Sequence, residues 1–198
     1  MDVRLATPAD GADCAAIYAP YVADTAISFE SVPPTADEMA ARIARTAERT
    51  PWVVVEVDGV VRAYAYGTRH RERAAYDWTV ETTVYVDRGF GRRGLGRAAM
   101  AAVVAILRLQ GAHLAVAGIT LPNPGSVRLH EALGYRPIGE FEAIGWKHGG
   151  WHGVAWYALE LGPREPAPSP LVPLPALAGS PALAAALDQG QSTPASSG

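Results

Sequence analysis

The sequence predicts an α/β chain of the α+β kind, a mixed sheet with helices on both faces, and three observations predict it. Segments with helical spacing alternate with β-branched and aromatic runs, in the order strand, helix, helix, three strands, helix, strand, helix, two strands. Asp58-Gly59 separates the first two of the three consecutive strands, and this pair tolerates the positive dihedrals of a two-residue hairpin turn. A glycine-rich stretch, Gly89 to Arg97, follows the third strand and leads straight into a long apolar helix.

The elements follow in order. A short apolar strand, Val3 to Ala6, is followed by Thr7-Pro8-Ala9-Asp10, whose polar side chains can cap a helix running to about Tyr21. Ala12, Ala15, Ala16 and Ala19 give that helix a compact face. A second helix begins at Thr35, because Thr35-Ala36-Asp37-Glu38 has the capping-box pattern and Met39, Ile43 and Ala47 recur at helical spacing. Trp52 to Val57 and Val60 to Gly67 form the hairpin, and Thr79 to Val86 is the next strand. Leu95 to Gln110 is an Ala/Val/Leu helix of about four turns. A strand from about His113 to Gly118, a helix from Gly125 to Leu133 ended by Gly134, and strands around Tyr135 to Phe141 and Val154 to Glu160 complete the body. From residue 163 the chain turns Pro/Ala/Ser/Gly-rich, which predicts a domain of residues 1–162 and a disordered tail of 163–198, with at most a transient helical turn from Ala182 to Leu187.

Composition narrows the function classes. With 198 residues and 49% hydrophobic content the chain can bury the core of one domain. Its formal charge of −3 supplies no global basic field for nucleic acid, so no nucleic-acid partner is expected and any anion site must be local. A single cysteine, Cys14, excludes an intramolecular disulfide, and no Cys/His cluster has zinc-ligand spacing, so no metal is expected. The start Met1-Asp2-Val3-Arg4 lacks the pattern of a signal segment, and no apolar run is long enough for a membrane span. A cytoplasmic protein without membrane partner is the expectation.

The glycine stretch carries the first chemical signal. In Gly89-Phe90-Gly91-Arg92-Arg93-Gly94-Leu95-Gly96-Arg97, backbone N–H groups at a helix start can receive a phosphate, and the arginines add positive charge. Leu95 stands where a P-loop needs lysine, and the closely spaced glycine pair comes last rather than first, against the dinucleotide fingerprint. Read alone, the stretch also fits a Gly/Arg-rich surface turn.

At this point the sequence resembles the GNAT acetyltransferases, whose pyrophosphate loop reads Arg/Gln-x-x-Gly-x-Gly/Ala at the same junction. Gly94 and Gly96 match its small positions, whereas Gly91 replaces Arg or Gln, with Arg92 or Arg93 available as substitutes. Two further segments agree. Tyr76-Asp77-Trp78-Thr79-Val80-Glu81-Thr82-Thr83-Val84-Tyr85-Val86 is similar to the segment bearing the catalytic glutamate of the phosphinothricin and methionine sulfoximine acetyltransferases. Leu121 to Tyr135 resembles the Asn-x-x-Ser/Ala…Gly-Phe/Tyr segment of the superfamily. The resemblance spans residues 3 to 161. It implies the GNAT fold, a central and mostly antiparallel sheet with a splayed-strand cleft for acetyl-CoA as co-substrate.

Acetyl transfer to an amine needs a base for the ammonium proton and donors for the developing oxyanion. Glu81 lies in an otherwise uncharged strand just before the phosphate loop, which suits a base, although a strand glutamate can equally face solvent; the resemblance assigns it the role. The resemblance further implies that backbone groups of Val84, Tyr85 and Val86 and the loop residues Arg92, Arg93, Gly94, Leu95, Gly96 and Arg97 hold the cofactor. It adds Asn123 and Ser126 at a helix start, and His130 as a group that gives or takes a proton where many relatives have tyrosine; a satisfied helix histidine is the alternative. On the acceptor side it points to Phe29, Glu30, Arg73, Tyr76, Trp78 and Lys147, with Trp151 nearby. Arg73 could also be a solvated loop charge and Lys147 and Trp151 interface filler. Gly153 stands where the family's Lys-His-Gly-x-Trp-His-Asp loop ends in aspartate.

The function expected is direct acetyl transfer from acetyl-CoA to the amino group of a small amino-acid analogue, by an enzyme that is a homodimer as its relatives commonly are. Acetylation of another small amine or a protein N-terminus, or CoA binding without turnover, are the alternatives.

Overall fold

The computed structural model describes residues 1–191; the part of the expected disordered tail from 192 to 198 lies outside them. Strands β1 (Asp2–Leu5), β2 (Trp52–Val57), β3 (Val60–Arg69), β4 (Thr79–Val86), β5 (Leu114–Thr120), β6 (Arg136–Lys147) and β7 (Gly150–Glu160) form one sheet. Their order is β1-β2-β3-β4-β5-β7-β6, as expected a mixed sheet. Only β4 and β5 pair in parallel; the other neighbours are antiparallel.

Helices α1 (Gly11–Asp24) and α2 (Ala36–Ala47) cover one face, and α3 (Leu95–Leu109) the other, with α4 (Pro124–Ala132) flanking β5 in sequence. The alternation of β2 separates two cores: Trp52 and Val54 pack with Cys14, Tyr18, Met39 and Ile43, whereas Val53 and Val55 pack with the α3 side. Cys14 is fully enclosed, and burial pushes its thiol up to about 12, so it is a core filler rather than a nucleophile. The capping box expected at Thr35 is formed, with Thr35 Oγ1 accepting from Glu38 N and Glu38 Oε2 accepting from Thr35 N.

Two regions differ from the expectation. The tail from 163 is not disordered through its described length. Leu174 is buried, and a fifth helix, α5 (Pro181–Gln191), buries Leu183, Ala186 and Gly190, packing on α3. The approach is close: a Cβ on Gly190 would lie 2.7 Å from the Ala98 carbonyl oxygen and 3.2 Å from the Ala102 Cβ. Polar clamps lead up to it. The Gln110 side-chain amide donates to the carbonyls of Arg49 and Val172, and the Trp78 indole N–H donates to the Ser169 carbonyl. Leu171, Leu174, Leu177, Leu183 and Leu187 supply the apolar surface that the segment's proline-rich composition concealed.

The last hairpin is also longer than expected. β6 and β7 pair out to Lys147↔Gly150, around a turn in which His148 and Gly149 have φ of 49° and 78°. Register shifts at Pro137/Gly139 and Phe141/Gly145 break the alternation, so no strand period runs past Phe141, and the stretch that resembles the family's Lys-His-Gly-x-Trp-His-Asp loop forms the tip of this hairpin.

Candidate active site

β4 and β5 stay together only over Thr79–Glu81 against Leu114–Val116. Beyond Glu81 they part, and the gap opens into a cleft of about 770 Å³. Val84, Tyr85 and Val86 line one wall, Gly118, Ile119 and Thr120 the other, and the starts of α3 and α4 close its end. The direction of the β4 amides follows from their neighbours. The Trp78 carbonyl accepts from the amides of His113 and Leu114 ahead of and at β5, and the Asp87 amide donates to Arg62 on β3. Even-numbered residues of β4 therefore direct their backbone groups toward β5, and past Glu81 the Val84 and Val86 amides face the cleft instead of a partner strand.

The glycine stretch opens α3 with Gly94 in the left-handed region, φ 78°, and Arg92 likewise at 61°. No side chain caps this helix, and the first amide that bonds back to Gly94 is that of Ala98, so the amides of Leu95, Gly96 and Arg97 are left for a ligand. A Cβ on Gly96 would press on Leu129 and Val86 at 3.0 Å, so glycine keeps this cradle open. Arg92 and Arg97 line the cleft. Arg93 does not: its guanidinium lies over the Phe90 ring, 4.7 Å from the centroid. These features fit the pyrophosphate and pantetheine of a CoA thioester, as anion-binding amides with two cations at a helix start.

Asn123 caps α4, its side-chain oxygen accepting from the Ser126 amide at 3.2 Å. His130 Nδ1 is 2.8 Å from the Ser126 carbonyl, which can only accept, so Nδ1 carries the proton. Nε2 then holds a lone pair, and it is buried without a partner among the described residues. Burial holds the pKa of His130 below its ordinary value, so the ring is neutral near pH 7. It can take a hydrogen bond at the cleft but is poorly suited to giving up a proton, which narrows the role expected from the sequence.

Glu81 occupies the last paired position before the strands part, beside Thr82 and Thr83 of the cleft wall, with its side chain on the other face of β4 from that of Thr82. The next residue, Thr82, meets the Tyr135 hydroxyl at 2.9 Å, and the His130 ring packs edge-on to Tyr135. Successive strand residues face opposite sides, so Glu81 points away from His130. Its carboxylate is met instead by His70, whose Nδ1 lies 3.3 Å from Glu81 Oε2. The sequence reading missed His70. The hairpin register held the signal, since Thr68 pairs with Glu81 and Arg69 with Val80, which brings residue 70 into diagonal reach.

The acceptor-side candidates are mostly engaged elsewhere. Glu30 is bound by both terminal nitrogens of Arg42 and by the Tyr18 hydroxyl. Lys147 Nζ donates to three carbonyls, those of Val22, Ser28 and Glu30, at 2.6, 2.6 and 2.8 Å. Lys147 thus pins the segment after α1 to the tip of the last hairpin and has no donor left for a substrate. Phe29 closes the same junction, its ring 2.3 Å from where a Cβ on Gly145 would stand. The Trp78 N–H is taken by Ser169. Arg73 is exposed, and Tyr76 is 41% exposed beside His70. A Cβ on Gly153 would meet Glu140 Oε1, the movable end of a side chain, at 2.9 Å and the Phe141 carbonyl at 3.3 Å. Cleft residues the sequence reading missed include Tyr21, whose hydroxyl donates to the Val86 carbonyl at 2.6 Å, and Ile27. Among the described residues no helix is long and apolar enough to cross a membrane, and no group of three or more His, Cys, Asp or Glu is placed to hold a metal.

Comparison with known proteins agrees with this geometry. Residues 17–135 match the acetyltransferase (GNAT) family. A phosphinothricin N-acetyltransferase of Streptomyces viridochromogenes is 41% identical over 88% of the chain and 94% of its own length. An L-methionine sulfoximine/L-methionine sulfone acetyltransferase of Salmonella typhimurium is 34% identical over 81% of the chain and 95% of its own length. Among solved structures, a GNAT superfamily phosphinothricin acetyltransferase of Sinorhizobium meliloti in complex with AcCoA superposes with a TM-score of 0.79 at 31% identity, covering 87% of this chain and 95% of that one.

Proposed function

Because the chain belongs to the GNAT acetyltransferase family, we propose that it moves the acetyl group of acetyl-CoA directly to the amino group of a small amino-acid analogue such as phosphinothricin or methionine sulfoximine. The observation that carries this reading is the position of Glu81, a carboxylate at the point where β4 and β5 part, one residue before the cleft wall. The names of the relatives support the substrate class.

Bound acetyl-CoA supplies an activated acyl group and a thiolate leaving group. The amides of Leu95, Gly96 and Arg97, with Arg92 and Arg97, hold the phosphates, and Asn123 and Ser126 start the helix that flanks the arm. The Val84 and Val86 amides face the thioester carbonyl and stabilise the charge that develops on its oxygen. Glu81 takes a proton from the acceptor ammonium, directly or through one water, which frees the nitrogen lone pair for attack. Arg73 and Tyr76, both exposed on the β3–β4 connection, are the groups left to meet the acceptor's acidic end, because Glu30, Lys147 and Trp78 are engaged within the fold. His130 serves as a neutral acceptor at Nε2.

The enzyme works in the cytoplasm as a homodimer in this reading. The last hairpin exposes Ile144, Trp146 and Trp151 at 53%, 60% and 64%, a surface that a second copy would cover. Light scattering that returns a monomer at micromolar concentration would remove that part. The catalytic part is tested by Glu81→Gln, which should lower kcat by about 10²-fold or more, the usual contribution of a positioned base, while leaving acetyl-CoA affinity intact. Unchanged kcat would refute it.

A further inference from the structure

Among the described residues His70 is the one side chain hydrogen-bonded to the Glu81 carboxylate, and acetyl transfer as proposed gives it no task. Its Nδ1 lies 3.3 Å from Glu81 Oε2. An ionised carboxylate can only accept, so Nδ1 carries the hydrogen whatever the state of the other ring nitrogen. The ring is fixed from two sides. Tyr76 stands edge-on at 5.9 Å and 74°, and Trp156 edge-on at 5.7 Å and 79°. Trp156 is itself held from the strand beyond, over Gly118, where a Cβ would already touch its ring at 3.5 Å. The imidazole therefore has little freedom to rotate away, and the half-buried glutamate has one of its two oxygens tied to a fixed donor.

We propose that His70 is the positioning residue for Glu81. This inference rests on the assignment of Glu81 as the base. By holding Oε2, the imidazole N–H fixes the plane of the carboxylate and leaves Oε1 as the oxygen that meets the acceptor. When the ammonium N–H bond breaks, its electron pair stays on nitrogen and the proton forms a bond to Oε1; the hydrogen on His70 Nδ1 does not move. A carboxylate on a strand at the edge of an open cleft would otherwise sample several rotamers, and a base must be within hydrogen-bond reach of its proton to act. His70 thus acts through Glu81 and does not touch the reacting atoms.

Two substitutions separate this role from simple packing. His70→Phe keeps the ring between Tyr76 and Trp156 and removes the N–H; His70→Asn loses the ring and keeps an amide N–H near where Nδ1 stood. In the full-length enzyme, with acetyl-CoA affinity and melting temperature measured alongside, H70F should lower kcat by about 10- to 100-fold, the usual worth of a hydrogen bond to a charged group. H70N should stay within about threefold of the parent, because the donor is what matters. A packing role gives the opposite order. H70F at the parental kcat, or equal losses in both variants, would overturn the assignment. Glu81→Gln run in parallel keeps the two claims apart: if it lowers kcat and H70F does not, only the role of His70 falls, and if it leaves kcat unchanged the base assignment falls first.

Discussion

Replacing Leu183 by alanine probes the part of the fold that composition hid. Leu183 is 6% exposed on α5 and belongs to the core on the α3 side. The substitution removes most of a buried aliphatic side chain and leaves a cavity on α3, and buried Leu→Ala changes cost about 2–5 kcal/mol. Because α5 is a terminal helix resting on one surface, the site can partly collapse, and we expect the lower end, about 2–3 kcal/mol. For a chain of this size each kcal/mol moves Tm by about 2–4 °C, so the expected fall is about 5–10 °C. Ala184→Ser, exposed on the next position of the same helix, should stay within about 0.5 kcal/mol. Gly190→Val should be as damaging as L183A, since its first side-chain atom would stand 2.7 Å from the Ala98 carbonyl. Thermal melts of the three variants by circular dichroism decide the matter. A Tm for L183A within about 1 °C of the parent would show that α5 adds nothing and that the tail is a solvated extension after all.

Two further outcomes follow from the site. Lys147→Met removes the three hydrogen bonds to the carbonyls of Val22, Ser28 and Glu30; we expect a loss of about 2 kcal/mol and a raised KM for acetyl-CoA, because the freed segment includes the cleft residue Ile27. Lys147→Arg should not restore either quantity, since a planar guanidinium cannot point three donors at one cluster of carbonyls. His130 gives a pH signature. Its folded pKa is held below the ordinary value by burial, so the unfolded chain binds the proton first; the contribution to stability is complete above about pH 6.5 and is lost as pH falls toward the folded pKa. Melts from pH 8 to pH 5 should show a drop that His130→Leu lessens, and an equal drop in the two proteins would show that His130 does not titrate in this way.

Much of the fold was legible because local chemistry and tertiary packing agree. Thr35 and Glu38 made their capping box, Asp58-Gly59 made its turn, and Gly94 and Gly96 stand at a helix start that lines the cleft. What was not legible depended on contacts far along the chain. Lys147 looks like a substrate cation until its partners, 117 to 125 residues away, are seen to be carbonyls of its own fold. The histidine beside Glu81 sits among Arg69, Arg71 and Arg73 in a stretch that reads as a charged loop, and only the register of β3 against β4 brings it to the carboxylate. The leucines of 171–187 are too sparse for a periodic signal, yet α3 offers an alanine surface flat enough to receive them.

The most direct test is the release of CoA from acetyl-CoA, read by thiol detection, with phosphinothricin, methionine sulfoximine, ordinary amino acids and polyamines as acceptors. Turnover with the first two, far above that with the others, is the expected result. Binding of acetyl-CoA without turnover of any amino-acid acceptor would contradict it.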